Sequence, residues 1–322
     1  MMKCKFAIAT AVLSLGFMPV ASQAQAYPDR PITVIVPFTP GASTDNLTRA
    51  AAKGLQDILG QPVIVRNQPG AGTSIATNAA LRADADGYTI LMQSSGFMTS
   101  LYGMKNPGYK MSDFNAIGAL GYTPFIMLAQ NEDYAKSLET FVDYLKANTG
   151  KLNVATLGEG GVHVLLSNAF QKEAGFNWTN IPYKGGAPAM NALLAGDVVS
   201  YSATVSFATS QKGQDRITPL AVTSKTRSEF FPDIPTFAEK GYPGVYALAD
   251  YGLIVRSDTP DDIQKKLRDA MAEVMNSKEM KDVLRNLGME PFDGDAVAYE
   301  KQINEFAEFY AREAKALNMP VN

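Results

Sequence analysis

From Ile32 onward, short runs of apolar, β-branched residues alternate with longer stretches whose apolar positions recur every three or four residues. That alternation is the pattern of parallel strands joined by crossover helices. It predicts strands at Ile32–Phe38, Val63–Arg66 and Tyr88–Gln93, separated by helices at Thr44–Leu59 and Thr73–Arg82, and then a Gly-, Asn- and Pro-containing loop around Gly103–Gly108. A second series predicts helices at Leu138–Ala147, Val162–Ala174 and Pro188–Leu194 among strands at Leu152–Thr156, near Ile181, at Val198–Ala203 and at Thr218–Val222; Pro260–Leu317 reads as helical with few breaks. Two runs, Ile117–Ala129 and Val245–Val255, exceed the five or six residues of an ordinary strand and read as segments that pass from one domain to another. The expectation is an α/β chain of two domains. The first is discontinuous, residues 27–124 and 250–322, the second spans 125–249, and a ligand cleft lies between them that two crossings allow to open and close.

The N-terminus has a different pattern. Two lysines, Lys3 and Lys5, precede an apolar stretch from Phe6 to Val20, and Ala24-Gln25-Ala26 offers a small-residue cleavage site before Tyr27-Pro28. Residues 1–26 therefore read as a cleaved signal peptide, the apolar stretch being shorter than the ~20 residues that a spanning helix needs. The single cysteine, Cys4, precedes the apolar stretch, which is the wrong place for lipid modification and leaves the mature chain without disulfides or thiolate metal sites.

Composition narrows the function by exclusion. Hydrophobic residues make up 46% of the chain and charged ones 19%, as in globular proteins. Loss of the leader lysines moves the net charge from −3 to about −5, which argues against a nucleic-acid partner. One histidine, His163, leaves no histidine-based metal site and no second base for a hydrolase; no G-x-S-x-G elbow is present. Gly70-Ala71-Gly72-Thr73-Ser74-Ile75-Ala76 contains the spacing G-x-G-x-x-A, but after the second predicted strand, where a dinucleotide site would follow the first.

Candidate chemistry sits at two strand-to-helix loops. Pro37 to Asp45 links the first strand to its helix, with Ser43 and Thr44 as capping hydroxyls, and Thr156 to His163, rich in glycine, repeats the device in the second series. Free N–H groups at a helix N-terminus and the positive end of its dipole favour an anion, and α/β folds bind ligands in the crevice at the carboxyl ends of their strands.

These segments resemble a known family, the periplasmic Bug receptors of tripartite tricarboxylate transporters. The resemblance runs through Tyr27-Pro28, Pro31-Ile32, Pro37 to Asp45 with Arg49, Leu59 to Val63, Asn67 to Gly72, Asp86 to Thr89, Gly158 to His163, Ile181 to Ala189, Leu220 to Thr223 and Pro232 to Phe237. It implies a type II periplasmic binding protein fold, capture of a small carboxylate without catalysis, cofactor or metal, and delivery to the transporter's membrane subunits. By position, Phe38, Thr39, Pro40, Gly41, Ser43 and Asp45 would form one wall of the cleft, Leu157, Gly158, Gly160 and His163 the other, and Ser94 and Ser95 the floor. Thr44 and Thr204 complete the candidate set. The chain departs from the family pattern at Ala42, Thr73, Asp250 and in Val199–Val205, which lacks an acidic or amide side chain.

A soluble, monomeric, periplasmic binding protein is thus expected. Phe38 beside Pro40 offers a face for a ring, so the expected ligand is a rigid aromatic dicarboxylate such as terephthalate, with an aliphatic di- or tricarboxylate, or a sensing receptor feeding a signalling partner, as the alternatives.

Overall fold

The computed structural model describes residues 27–41, 43–104, 106–157 and 161–316. The leader at residues 1–26, Ala42, Gly158 and Gly160 lie outside them. Strand β1 (Ile32–Val36) pairs in parallel with β2 (Val63–Asn67) on one side and β3 (Thr89–Ser94) on the other. Helix α1 (Ser43–Leu59) joins β1 to β2 and α2 (Ser74–Leu81) joins β2 to β3. The side chains of β1 divide accordingly: Ile32, Val34 and Val36 pack under α1 with α8 (Asp261–Asn276) and α9 (Lys278–Asn286), whereas Ile35 packs under α2, α3 (Ser95–Gly103) and α10 (Ala296–Ala316). Leu47, Ala51 and Leu55, one turn apart, form the buried stripe of α1.

The second half repeats this plan. Strand β5 (Asn153–Leu157) pairs in parallel with β6 (Thr179–Tyr183) and β7 (Ser200–Thr204). Helices α4 (Leu138–Ala147) and α5 (Val162–Ala174) cover one face and α6 (Gly186–Ala195) the other, with the short α7 (Val205–Thr209) following β7. Here Phe170 of α5 has Phe176, Trp178, Phe237 and Tyr242 around it at ring separations of 5.1, 5.9, 5.2 and 5.5 Å.

Two strands connect the halves. Strand β4 (Phe114–Gln130), 17 residues long, pairs antiparallel with β9 (Leu248–Arg256) from Phe114 to Pro124, and then with β7 and β8 (Ile217–Val222) from Phe125 onward. Strand β9 also pairs with β3, so one nine-stranded sheet results, ordered β2-β1-β3-β9-β4-β7-β5-β6 with β8 against β4. The register of β4 against β9 shifts twice, between Ala116 and Gly118 and between Ala119 and Gly121, which bends the ribbon.

Tyr27, the expected first mature residue, is tied into the fold: its hydroxyl donates to the Gly87 carbonyl (2.7 Å), and its own carbonyl accepts from Lys266 Nζ (2.5 Å). No helix among the described residues is long and apolar enough to cross a membrane.

Candidate functional site

In each half the crossover helices leave a central strand toward opposite faces, so the crevice opens between the carboxyl ends of β1 and β3, and again between those of β5 and β7. The candidate residues from the sequence fall at these four strand ends.

After β1, Phe38 is half-buried and packs against the core under α1, while Thr39, Pro40, Gly41 and Ser43 are exposed and Thr44 is buried. Asp45 is 1% exposed and turns back on its own loop. One carboxylate oxygen accepts the Gly41 N–H (2.9 Å) and Arg49 Nε (3.0 Å), and the other accepts Asn67 Nδ2 (2.8 Å). Burial opposes its ionisation, but hydrogen bonds from Arg49, the Gly41 N–H and Asn67 outweigh that and hold its carboxyl below the usual range. Gly41 itself sits at φ 83°, the left-handed region that glycine enters at no steric cost. Asp45 is thus the residue that shapes the loop.

After β3, Ser94 occupies the N-cap position of α3 without capping it: its hydroxyl is buried and unpartnered, and the helix has no side-chain cap hydrogen bond. Ser95 follows, half-buried. The sequence pattern assigns no element to this segment, because Ser95 and Gly96, which favour turns, open the helix. The G-x-G-x-x-A segment packs against this helix: the Ser100 hydroxyl donates to the Gly72 carbonyl, and a Cβ on Gly96 would lie 2.6 Å from Thr73 Cγ2. Thr73, at φ 88°, therefore occupies space that a side chain at position 96 would fill.

In the second half Leu157, half-buried, ends β5, and α5 begins after Gly161, again without a side-chain cap. His163 turns inward: its ring lies 5.2 Å from Phe125 and 6.1 Å from Tyr201. Burial brings its pKa down to about 4 despite a hydrogen bond to the Ser202 backbone, so the imidazole is neutral at pH 7, and Nε2 is left buried without a partner. Thr204 caps α7, its hydroxyl accepting the Phe207 N–H (3.2 Å) and lying 3.1 Å from Ser206 Oγ. Ser137 caps α4 and Ser277 caps α9, whereas α3 and α5, like α2, α6 and α8, have no side-chain cap. No side chain takes the first-turn N–H groups of α3 or α5, which suits them to an anion, although the Val164 N–H of α5 bonds the Gly161 carbonyl (3.0 Å).

The ribbon sets the spacing of the two halves. Ser94 lies opposite Tyr251, which pairs with Gly121 of β4, and Thr204 lies opposite Phe125. Four residues of strand, about 13 Å, separate these two positions. Thr123, between them, accepts the Ser206 N–H at 3.1 Å and so fixes α7 to the ribbon. Cavities lie elsewhere among the described residues: one of about 690 Å³ at Leu101 and residues 106–113, one of about 600 Å³ along α10 and one of about 580 Å³ between α8 and the start of α10.

Sequence reading missed one group. Asp250 of β9, 1% exposed, lies with Gln93 of β3 and Tyr299 of α10; Gly252 leaves space for the Tyr299 ring, which a Cβ there would approach to 2.2 Å. Nothing in the sequence separates Tyr299 from the other apolar positions of its helical stripe.

Residues 47–318 match the model of the tripartite tricarboxylate transporter family receptor. The chain belongs to that family. Its members are periplasmic solute-binding receptors, not enzymes, and the α/β periplasmic binding protein fold is shared. BugT of Bordetella pertussis is 35% identical over 271 residues, covering 83% of each chain. A TctC solute-binding protein from Polaromonas superimposes with a TM-score of 0.80 at 27% identity, covering 91% of this chain and 99% of that one. MatC of Rhodopseudomonas palustris with bound malate (TM-score 0.73, 26% identity, 89% and 100% covered) and Rpa4515 of the same organism with adipate (0.75, 26%, 90% and 98%) share the fold of this receptor.

Proposed function

We propose that this receptor captures an aliphatic dicarboxylate between residues 27–124 with 250–322 and residues 125–249, closing the two parts about the β4–β9 ribbon, and delivers it to the membrane subunits of a tripartite tricarboxylate transporter. The observation that carries the reading is the pair of helix N-termini without a side-chain cap, α3 with the unpartnered Ser94 hydroxyl and α5 with the inward-turned His163, at the carboxyl ends of β3 and β5. Each offers orphan N–H donors to one carboxylate of a two-headed anion. Thr39, Gly41, Ser43 and Ser95 add to the first end. Phe38 packs into the core beneath α1, which weakens the case for a ring-bearing ligand such as terephthalate, and relatives of like fold carry malate and adipate. The chain acts as an exported monomer freed of residues 1–26.

Calorimetric titration with malate, adipate, terephthalate and citrate tests this. Binding of malate or adipate, weakened in Ser94→Ala, supports it. Tight binding of terephthalate alone would restore the aromatic ligand, and absence of heat from all four acids would sink the carboxylate reading.

A further inference from the structure

Asp250 is a buried carboxyl group without a counter-charge. It lies on β9 opposite Tyr122 of β4, one residue from Tyr251, the partner of Ser94. The contrast with the buried Asp45 is direct, since Asp45 has the Arg49 guanidinium against it. Each element around Asp250 contributes only neutral groups. From β3 comes the Gln93 amide, whose Nε2 donates to the Ser94 carbonyl (3.0 Å). From α10 come the phenols Tyr299 and Tyr310, and from the segment before β9 comes Tyr246. From β4 comes the Tyr122 phenol, which is engaged with Glu290. Of the charged side chains of α10, Glu300 pairs with Arg268, Lys301 with Glu305 and Arg312 with Glu313, and Glu308 and Lys315 are exposed to solvent. His163 on α5 is neutral at pH 7.

The hydrogen bonds are too few for a carboxylate. The Tyr299 hydroxyl has one proton and faces both Gln93 Oε1 (2.5 Å) and Asp250 Oδ2 (3.2 Å). Asp250 Oδ1 has no partner, and neither has the Tyr310 hydroxyl. A protonated Asp250 removes the unpaired charge and supplies the donor that this cluster lacks. With these surroundings, a second negative charge held one or two strands away at the start of α3 raises the proton affinity of Asp250 about tenfold.

We propose that Asp250 is a proton-binding site of the receptor and that capture of a dicarboxylate at the strand ends is accompanied by uptake of a proton there. Burial, the principal cause, has already brought its pKa up to about 6, against hydrogen bonding to Tyr299, to its own backbone and to Gln93, so Asp250 of the unliganded receptor is mostly ionised at neutral pH and has a proton to gain. The same feature disfavours a ligand bound as a trianion over a dianion, because each added negative charge must be placed beside an acid that can take only one proton.

The coupled half of the inference rests on the dicarboxylate reading, and the experiment separates the two. Malate and adipate are titrated into the full-length mature receptor near neutral pH in phosphate and in Tris, whose ionisation heats differ. Uptake shows as a buffer-dependent heat of about half a proton per ligand, with affinity falling about fivefold between pH 6 and pH 8. Asp250→Asn should bind both acids and lose the buffer dependence. Buffer-independent heat in the wild type, or uptake that persists in Asp250→Asn, overturns the proposal. If neither acid binds, the proposed function fails on its own. Carbon-13 carboxyl resonances of aspartate-labelled ligand-free protein then decide the remainder: a resonance that titrates near pH 6 and disappears in Asp250→Asn supports the proton site, and its absence refutes it.

Discussion

Asp45 accepts the backbone N–H of Gly41, four residues earlier in the chain, at 2.9 Å. The carboxylate thus folds the loop after β1 before any ligand arrives, and the Arg49 and Asn67 bonds lock the carboxylate in turn. Removing it by Asp45→Ala should destabilise the protein by about 2–4 kcal/mol, since a buried, hydrogen-bonded charge is lost and Asn67 is left with an unpaired donor. Arg49, half exposed to solvent, should cost less when truncated to alanine, about 1 kcal/mol after screening. Chemical denaturation of the two variants gives the comparison; equal losses would mean that Asp45 does not organise the loop.

Ser94 and Thr204 end equivalent strands and should respond in opposite ways. The Ser94 hydroxyl makes no hydrogen bond in the protein, so Ser94→Ala should leave stability within about 0.5 kcal/mol while lowering ligand affinity roughly 10- to 150-fold through loss of a charged hydrogen bond. Thr204 caps α7, and its alanine variant should lose about 1 kcal/mol of stability. Paired calorimetry and thermal unfolding distinguish the roles. A Ser94 variant that unfolds early but binds normally would reverse the assignment.

His163 and Asp250 titrate abnormally in opposite directions over one pH range. His163 falls from 6.5 to about 4 on folding, so the stability that its neutral form provides is complete above pH 6.5 and is lost as pH falls toward 4. Asp250 rises from 3.8 to about 6, so its contribution is complete below pH 3.8 and is lost as pH rises toward 6. Each amounts to about 3 kcal/mol, and between pH 4 and 6 they oppose one another. Asp250→Asn should therefore steepen the acid loss of stability, and His163→Gln should give stability that declines with rising pH relative to wild type. Denaturant midpoints measured across pH 4–7 test this, and parallel curves for all three proteins would exclude it.

Gly252 gives a packing test. A methyl group there would meet the Tyr299 ring at 2.2 Å, so Gly252→Ala must displace the tyrosine from Gln93 and Asp250. Overpacking of this kind costs about 1–3 kcal/mol. The companion change Tyr299→Phe keeps the ring and removes only the shared proton, and should raise the pKa of Asp250 further, observable as a carboxyl titration moved to higher pH. A lowered value would mean that the phenol does not stabilise the ionised acid.

The order of strands and helices could be read from sequence because periodicity distinguishes a buried strand from an amphipathic helix, and Val162–Ala174 and Leu138–Ala147 fall where the pattern places them. Strand β4 showed itself as a run too long for an ordinary strand. Helices α3 and α7 did not: the first opens on Ser95 and Gly96, which favour turns, and the second is five residues long. The inward turn of His163 and the meeting of Asp250 with Tyr299, 49 residues apart, depend on tertiary packing that no local pattern encodes. Ala71 and Thr73 also hold positive φ without being glycine, a backbone conformation their side chains argue against.

The shared ribbon has a kinetic consequence. Strand β3, complete at Ser94, finds its antiparallel partner only when the chain reaches Tyr251 to Ile254, so the half that is synthesised first cannot finish its sheet until most of the polypeptide exists. Pairing across such sequence distance is slow, because the entropy of closing the intervening loop must be lost before the contact forms. The second half, whose strands β5, β6 and β7 are near neighbours in sequence, is free to form earlier and to bring the two ends of the first half together.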